Sequence, residues 1–262
     1  MRQFKLFSML LPILVLPMMA SCGDDNDNEG SSSYKGKRIT KIIEESQGST
    51  SETLISYDEK GRIIEAKTIK NSDNVTNGVY TKTYQYDETT IILKEEVKDA
   101  SNEQYPRTHT YTLSGGHIVK DTEIQDETPI YKHYEYDSNG NWVKYIDYIQ
   151  FDNEPMYFHE GHIINWENGN LSSIEYLGSK IQYNYSVSPW IKGIIFDFPF
   201  TDPILFAEGF FGNTPKYLPS EFSYTKYNYN VVDGLVTKIT KTVTDPYNDN
   251  YSYTSVVNYI WE

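Results

Sequence analysis

The most compact group of residues able to bind a metal or move a proton is the segment His159-Glu160-Gly161-His162. Zinc proteases place two such histidines four residues apart on one face of a helix. Here the spacing is three, a glycine interrupts the segment, and no helical periodicity surrounds it, so we interpret it as polar surface. The histidines 109, 117 and 133 lie isolated in strand-like segments, where we expect half-exposed side chains. The sequence predicts no catalytic residue, no metal site and no cofactor.

Carboxylates and aromatic rings are the remaining residues with chemistry to offer. The sequence has no Gly-x-Ser-x-Gly elbow, phosphate loop or dinucleotide fingerprint. A glycosidase pair of carboxylates needs only proximity in space, so that alternative stays open. Exposed rings on a curved sheet stack on sugars, and the residues predicted to bind a ligand in this way are Trp142, Tyr145, Trp166 and Trp190. The alternative is that these rings form core or cross-strand pairs, which stabilise sheets directly.

Cys22, the single cysteine of the chain, follows a segment that reads as a lipoprotein signal. Arg2 and Lys5 form a basic start, an apolar stretch follows, and Met19-Ala20-Ser21-Cys22 has the lipobox pattern. In that pattern the thiol takes a diacylglycerol and becomes the new N-terminus. Several acyl chains, such as palmitate, on one residue anchor a protein stably, whereas a single chain binds only marginally. We therefore predict a signal peptide over residues 1–21 and lipidation of Cys22.

Residues 22–33 continue with an acidic run and three serines, which is typical of a flexible tether. An acidic run directly after a lipidated cysteine resembles the surface-export signal of Bacteroidota lipoproteins. Without residues 1–22 the chain has 21 basic and 37 acidic residues, a net charge of −16. Such a chain repels nucleic acid and anionic headgroups. The expected location is the outer membrane, lipid-anchored and exposed at the cell surface.

Residues 34–262 read as one all-β domain built from repeated hairpins. The repeat runs aromatic, x, aromatic, Asp, a turn with Gly, then a β-branched run, as in Tyr134–Val143 and around Tyr57-Asp58. Asp caps its own turn, and Gly three residues later takes the left-handed conformation of a bulged hairpin. About a dozen antiparallel strands in such a meander favour a barrel-like or strongly curled sheet.

Residues 187–221 interrupt the repeat and hold six of the eleven phenylalanines. Within them Thr201-Asp202-Pro203 is typical of a helix start, and Gly212 is the predicted stop. An apolar loop with one short helix, near residues 190–212, predicts a plug for an open end of the sheet. The alternative is a hydrophobic ligand pocket or partner patch.

The segment Gly209–Pro219, followed by Tyr227-Asn228-Tyr229 and Asp233–Val236, resembles a Bacteroidota lipoprotein family. That family is known as a domain of unknown function with a porin-like fold. The resemblance covers most of the chain after the tether, and the Phe-Gly…Leu-Pro stretch is its most specific part. It implies a curled antiparallel β fold and carries no catalytic residue.

Charges within the predicted strands indicate water on both faces of the sheet. Lys238 and Lys241 fall on opposite faces of one strand, and Lys144 and Asp147 on opposite faces of another. A strand of a membrane-spanning barrel keeps its lipid face free of charge. The sequence therefore favours a lipid-anchored barrel over one that spans the bilayer.

These observations predict a surface-anchored, non-enzymatic binding or accessory module that recognises a glycan or an envelope protein. Two alternatives stay open. One is a glycan hydrolase with a carboxylate pair, and the other is an assembly partner of an outer-membrane barrel, docked through the apolar segment 190–211. The expected partners are the membrane, through the anchor, and a glycan or envelope protein, with no nucleic acid.

Overall fold

The structure is a computed structural model that describes residues 36–72, 75–99, 106–125, 128–149, 157–245 and 248–262. In these ranges the chain forms sixteen β-strands and a five-residue helix, α1 (Pro203–Ala207), between the twelfth and thirteenth strands. The strands are β1 (Ile39–Ser46), β2 (Ser49–Tyr57), β3 (Ile63–Ser72), β4 (Val75–Tyr86), β5 (Thr90–Asp99), β6 (Arg107–Ser114), β7 (His117–Gln125), β8 (Thr128–Tyr136), β9 (Trp142–Ile149), β10 (Tyr157–Glu167), β11 (Asn170–Tyr176), β12 (Ser179–Pro189), β13 (Tyr217–Phe222), β14 (Thr225–Val232), β15 (Leu235–Asp245) and β16 (Asn248–Trp261). Within the same ranges no helix is long and apolar enough to cross a membrane.

Every strand pairs antiparallel with its neighbours in the chain, and β1 pairs with β16, so the sheet closes into a barrel. In the closing pair Ile42 lies opposite Tyr259, and Ser46 lies opposite Ser255. The barrel is therefore complete between residues 39 and 261. The predicted all-β meander is confirmed, and closure removes the exposed strand edges that an open sheet would present.

The turn that the repeat predicts is present between β2 and β3 and again between β8 and β9. The Asp58 carboxylate accepts a hydrogen bond from the Arg62 backbone N–H at 2.9 Å, and Gly61 has a φ of 81°. The Asp137 carboxylate accepts from the Asn141 backbone N–H at the same distance, 2.9 Å. Each carboxylate thus replaces a missing backbone partner, while glycine takes the left-handed conformation without strain.

Hairpins at the other end of the barrel turn without this signal. The β1–β2, β11–β12 and β13–β14 turns place Gln47, Leu177 and Ser223 in the left-handed region, with φ of 45°, 45° and 54°. Gly48 and Gly178 follow in the first two turns but no aspartate caps them, and the β13–β14 turn has neither residue. The Asp-Gly pattern therefore misses these turns, so the sequence indicated about a dozen strands and the structure has sixteen. We call this the far end, and the end with the Asp-Gly turns the plugged end.

Aromatic side chains satisfy the backbone at the bulges between strands. The Tyr136 hydroxyl donates to the carbonyl of Ile118 at 2.7 Å, and the β6–β7 register shifts where Ile118 faces Leu113. The same donation recurs from Tyr57 to Ile39, Tyr86 to Ile63, Trp166 to Trp142, Tyr185 to Leu171 and Trp261 to Val236. Phenylalanine cannot donate such a bond, which explains the use of tyrosine at these four positions.

Residues 190–216 leave β12, enter the barrel and return to β13 at the plugged end, as the predicted plug requires. Four of its phenylalanine rings are buried in the core that the inner faces of the strands share: Phe196, Phe198, Phe206 and Phe211. Those rings are not available to a partner barrel, contrary to the docking alternative. The plug instead contributes a large share of the barrel's own hydrophobic core.

Asp202 begins α1 as predicted, because its carboxylate accepts hydrogen bonds from the Ile204 and Leu205 N–H groups at 3.0 Å. The predicted stop at Gly212 is wrong. The helix ends at Ala207, and Gly209, two residues later and with φ 86°, turns the chain away from the helix axis. Gly212 has another role: a Cβ there would lie 2.4 Å from the Gly140 carbonyl oxygen, so the residue lets the plug approach the β8–β9 turn.

The outer wall carries charge in the middle of its strands. On β3 and β5 the exposed residues Lys67, Lys94, Glu96 and Lys98 alternate with inward residues such as Ala66 and Leu93. Lipid-facing strands are apolar at these depths. The outer wall around β3–β5 therefore has the chemistry of a surface in contact with water.

Candidate functional site

On several strands the inward-facing side chains change from apolar to charged from the plugged end toward the far end. On β4 the inward positions run from Tyr86 and Tyr84 to Lys82, and on β15 from Ile239 to Lys241. We call the charged inward set the polar lining; it comprises Glu44, Lys82, Glu95, Arg107, His109, Asp121, Glu123, Lys132, Asp147 and Lys241. It forms the wall of the barrel between the plug and the far end.

The plug is tied to the polar lining through Asp202. Lys82 Nζ lies 2.9 Å from Asp202 Oδ2 and 2.9 Å from Glu95 Oε1. The Tyr84 hydroxyl lies 3.2 Å from both Asp202 oxygens. Burial lowers the pKa of Lys82, but the carboxylates of Asp202 and Glu95 outweigh it and raise that pKa above its usual value. The lysine therefore stays charged, and one carboxylate both caps α1 and fixes the plug to β4.

A second group of charges joins β6, β7 and β8. His109 Nδ1 lies 3.1 Å from Asp121 Oδ2, and Lys132 Nζ lies 3.4 Å from the same oxygen and 3.4 Å from Glu123 Oε2. Burial lowers the pKa of His109, but its hydrogen bond to Asp121 and the charge of that carboxylate outweigh burial and raise the pKa above 6.5. These acids are buried, with Asp121 only 1% exposed, so the pairing offsets their desolvation.

On the opposite wall, Glu44 Oε1 accepts from Ser255 Oγ at 2.8 Å and lies 3.3 Å from Lys241 Nζ. Asp197, on the plug, is exposed. Burial by the surrounding wall still raises the pKa of its carboxyl, while Lys241 and Lys82 lower it. The plug therefore presents an exposed acid to Lys241 and Lys82 of the polar lining.

Phe200, also on the plug, is held in a strained backbone conformation. Its φ is 65°, which bulky residues rarely adopt, and its side chain remains 36% exposed. The ring stacks on Tyr145 at 4.8 Å between centroids and lies 4.2 Å from the His162 ring. The Tyr134 hydroxyl donates to the Phe200 carbonyl at 3.2 Å. The plug thus also presents one partly exposed ring, against β9 and β10.

The four rings predicted to bind a ligand occupy the barrel interior. Trp142 is 1% exposed and Tyr145 is 3% exposed, while Trp166 and Trp190 are half-buried. Trp166 Nε1 donates to the Trp142 carbonyl at 2.8 Å, and the Trp190 ring packs against Phe198 of the plug. Tyr145 alone lies beside an exposed ring, Phe200. Their role in ligand binding stays a prediction.

Some of the other predicted site residues lie outside the part of the chain that the structure describes. Cys22 lies outside the described residues. His162 is buried against Tyr176 and Phe200 rather than on a surface, whereas nothing is described of the side chains of His159 and Glu160. His109 was expected to be half exposed and is 8% exposed, because Asp121 on the next strand supplies a partner that the sequence does not reveal. Among the described residues no group of three His, Cys, Asp or Glu could hold a metal ion.

Sequence reasoning missed the polar lining itself. A signal was present: Lys82 has the same strand parity as Tyr84 and Tyr86, and Asp121 has the parity of Glu123. Parity places a residue on a face, but it does not say which face is inside. Chemically, the lining offers many hydrogen-bond donors and acceptors with nearly balanced charge, which suits a neutral polar ligand.

Comparison with known proteins supports the fold. A family model described as "Domain of unknown function (DUF4595) with porin-like fold" matches residues 55–257. A solved structure of a porin-like protein from Bacteroides uniformis ATCC 8492 is 18% identical in sequence and covers 86% of this chain and 96% of that chain, with a TM-score of 0.62. No curated protein matches the chain. Since the family model spans well over half of the sequence, the chain belongs to this family of domains of unknown function with a porin-like fold.

Proposed function

We propose that the chain is a non-enzymatic binding module, lipid-anchored at the outer membrane and exposed at the cell surface, that takes a glycan at the far end of its barrel. The observation that carries the proposal is the division of the interior. A hydrophobic plug fills one end, while paired charges and a partly exposed ring line the rest. A plugged barrel with a polar lining suits binding from one side.

The position of the chain ends supports this arrangement. Arg38 N–H donates to the Glu262 carbonyl at 2.7 Å, and Glu262 N–H donates to the Arg38 carbonyl at 2.9 Å. The start of the first strand and the end of the last strand therefore meet at the plugged end. An anchor at Cys22 would therefore join the barrel at its plugged end, through the residues before Arg38.

A glycan fits the chemistry of the lining better than a charged ligand. Each buried acid already has a cationic partner, as in Asp121 with Lys132 and Asp202 with Lys82. A net charge on the ligand would disturb those pairs, whereas sugar hydroxyls both donate and accept hydrogen bonds. Phe200 adds an aromatic face of the kind on which the apolar face of a sugar packs.

The test is a glycan array probed with residues 23–262, which contain the complete barrel. We expect binding to at least one glycan class and loss of that binding in Phe200→Gly. Glycine accepts the φ of 65° without strain, so this variant removes the ring while relieving the backbone. Absence of binding to every glycan would overturn the proposal, and capture of an envelope protein by crosslinking on whole cells in its place would favour the protein-binding alternative.

The hydrolase alternative has one observation in its favour, the raised pKa of the Asp197 carboxyl. A general acid of a glycosidase needs such a shift. Turnover of a glycan that binds on the array, lost in Asp197→Asn, would establish that alternative and overturn the non-enzymatic assignment.

The anchor has its own test in Cys22→Ala. The variant should lose labelling by radioactive palmitate and membrane association, and protease treatment of intact cells should digest the unmodified protein. Membrane association that persists in Cys22→Ala would contradict lipid anchoring.

A further inference from the structure

A cavity of about 330 Å³ opens at the far end of the barrel, apart from the polar lining and from the four rings discussed above. It lies between the β13–β14 turn and the adjoining ends of β15 and β16. Three aromatic rings line it, from Phe222, Tyr224 and Tyr253. Tyr224 is 56% exposed and Tyr253 is 37% exposed, so two of these rings present surface to a ligand from solvent.

The cavity wall is a cross-strand row. Phe222 lies opposite Thr225, Thr225 opposite Val243, and Val243 opposite Tyr253. Phe222 also stacks on Tyr183 of β12, with centroids 4.1 Å apart and planes 16° apart. Since Tyr183 is buried in the core, the ring at the base of the cavity is fixed before any ligand arrives.

The polar groups of the cavity are hydroxyls and one carboxylate. Ser223, Thr225 and Thr244 supply hydroxyls, and Asp245 supplies the carboxylate. Of the described residues that line the cavity, none is basic, which disfavours phosphate and other anions. The hydroxyls and the carboxylate in turn disfavour a lipid tail, because an apolar chain makes no hydrogen bond with them.

The volume agrees with a sugar ring. An apolar cavity of about 150 Å³ holds one benzene molecule, so about 330 Å³ has room for one or two six-membered rings. Rings that pack on a sugar, with a few hydroxyl and carboxylate groups to fix its orientation, match the usual composition of small-ligand sites.

We propose that this cavity is a glycan subsite that binds one pyranose unit by stacking against Tyr253 and Tyr224, with Asp245 and the hydroxyls of Thr225 and Ser223 receiving the sugar hydroxyls. The proposal rests on glycan binding as the function of the chain. It adds a second aromatic contact, at the far end, to the one that Phe200 offers on the plug. A glycan long enough to reach both contacts would bind through both.

The test is saturation-transfer-difference NMR on residues 23–262 with the methyl glycosides of glucose, galactose, mannose and N-acetylglucosamine as probes. Sorbitol serves as the ligand control, since it has similar hydroxyls but no ring to stack. Tyr253→Ala and Tyr224→Ala remove the two exposed rings. Tyr131→Ala, on the outer face of β8, is the matched tyrosine control. Near-ultraviolet circular dichroism checks that each variant keeps its packed core.

We expect transfer to at least one methyl glycoside, none to sorbitol, and about tenfold weaker binding in each of the two cavity variants but not in the control. Binding that survives in both cavity variants and is lost in Phe200→Gly would overturn the subsite while leaving the proposed function intact. Transfer to none of the four glycosides would overturn the subsite directly; the array then decides separately whether glycan binding itself stands.

Discussion

Tyr136 provides the sharpest test of why this barrel uses tyrosine so often. Its hydroxyl donates to the Ile118 carbonyl at 2.7 Å, at a bulge in the β6–β7 ladder, and Ile118 is fully buried. Burial raises the pKa of Tyr136 above its usual value, so the hydroxyl is protonated and remains a donor at neutral pH. Tyr136→Phe keeps the ring in place and removes this one bond.

The expected cost follows from the carbonyl that loses its partner. Leaving one buried acceptor unsatisfied costs about 1–3 kcal/mol, and half-burial of Tyr136 favours the lower part of that range. A loss of about 1–2 kcal/mol lowers the Tm of a domain of this size by about 2–8 °C. The change should appear in the urea midpoint without a change in the denaturant slope.

The assay is thermal and urea unfolding of residues 23–262, followed by circular dichroism. Tyr131→Phe is the control: its ring contacts Lys120, and its hydroxyl has no hydrogen-bond partner among the described residues. We expect the control to stay within about 0.5 kcal/mol of the wild type. Equal stability of Tyr136→Phe and wild type, or an equal loss in both variants, would refute the reasoning.

Three further perturbations probe the plug and the polar lining. Asp202→Ala removes the α1 cap and the partner of Lys82, and should cost about 2–3 kcal/mol in urea unfolding, allowing for the solvent exposure of that lysine. His109→Gln should flatten the pH dependence of stability: with a folded pKa above 6.5, the histidine stabilises the fold below that pH, and this contribution is lost as the pH rises through the folded pKa. Gly212→Ala should lower the Tm, because its Cβ would meet the Gly140 carbonyl oxygen at 2.4 Å.

Each of these has a contrary outcome. Asp202→Asn, which keeps a capping oxygen, should recover part of the loss in Asp202→Ala, and equal losses would contradict a role in capping. A pH profile of His109→Gln that parallels the wild type would contradict the raised pKa. Gly115→Ala, where a Cβ meets nothing within 4 Å, isolates the strain of a positive φ, so it should cost less than Gly212→Ala.

The fold was largely predictable because its signals are local. The Asp-Gly turns place a carboxylate and a glycine at fixed spacing, and the structure confirms the hydrogen bonds that this spacing implies. The plug was predictable because its phenylalanines interrupt an otherwise regular repeat. The strand number was not, since the turn at Ser223 has neither an aspartate nor a glycine to mark it, and the turn at Leu177 has a glycine without the aspartate.

The polar lining could not be predicted, because it depends on which face of each strand points inward and on registers between strands. His109 meets Asp121 only because β6 and β7 pair in a register that brings their side chains together. The cavity at the far end depends likewise on three strand pairings that align Phe222, Thr225, Val243 and Tyr253. Such contacts follow from closure of the barrel and leave no trace in local composition.

The most direct test of the central claim, a plugged barrel that binds a glycan at its far end, compares two valines on one strand. Val243 lines the cavity at the far end, whereas Val236 is fully buried at the plugged end of β15. In a protein labelled with ¹³C at its valine methyl groups, titration with the four methyl glycosides should shift the Val243 resonances to saturation and leave Val236 unchanged. Shifts at Val236 alone, or at neither valine with any of the four glycosides, would contradict the account.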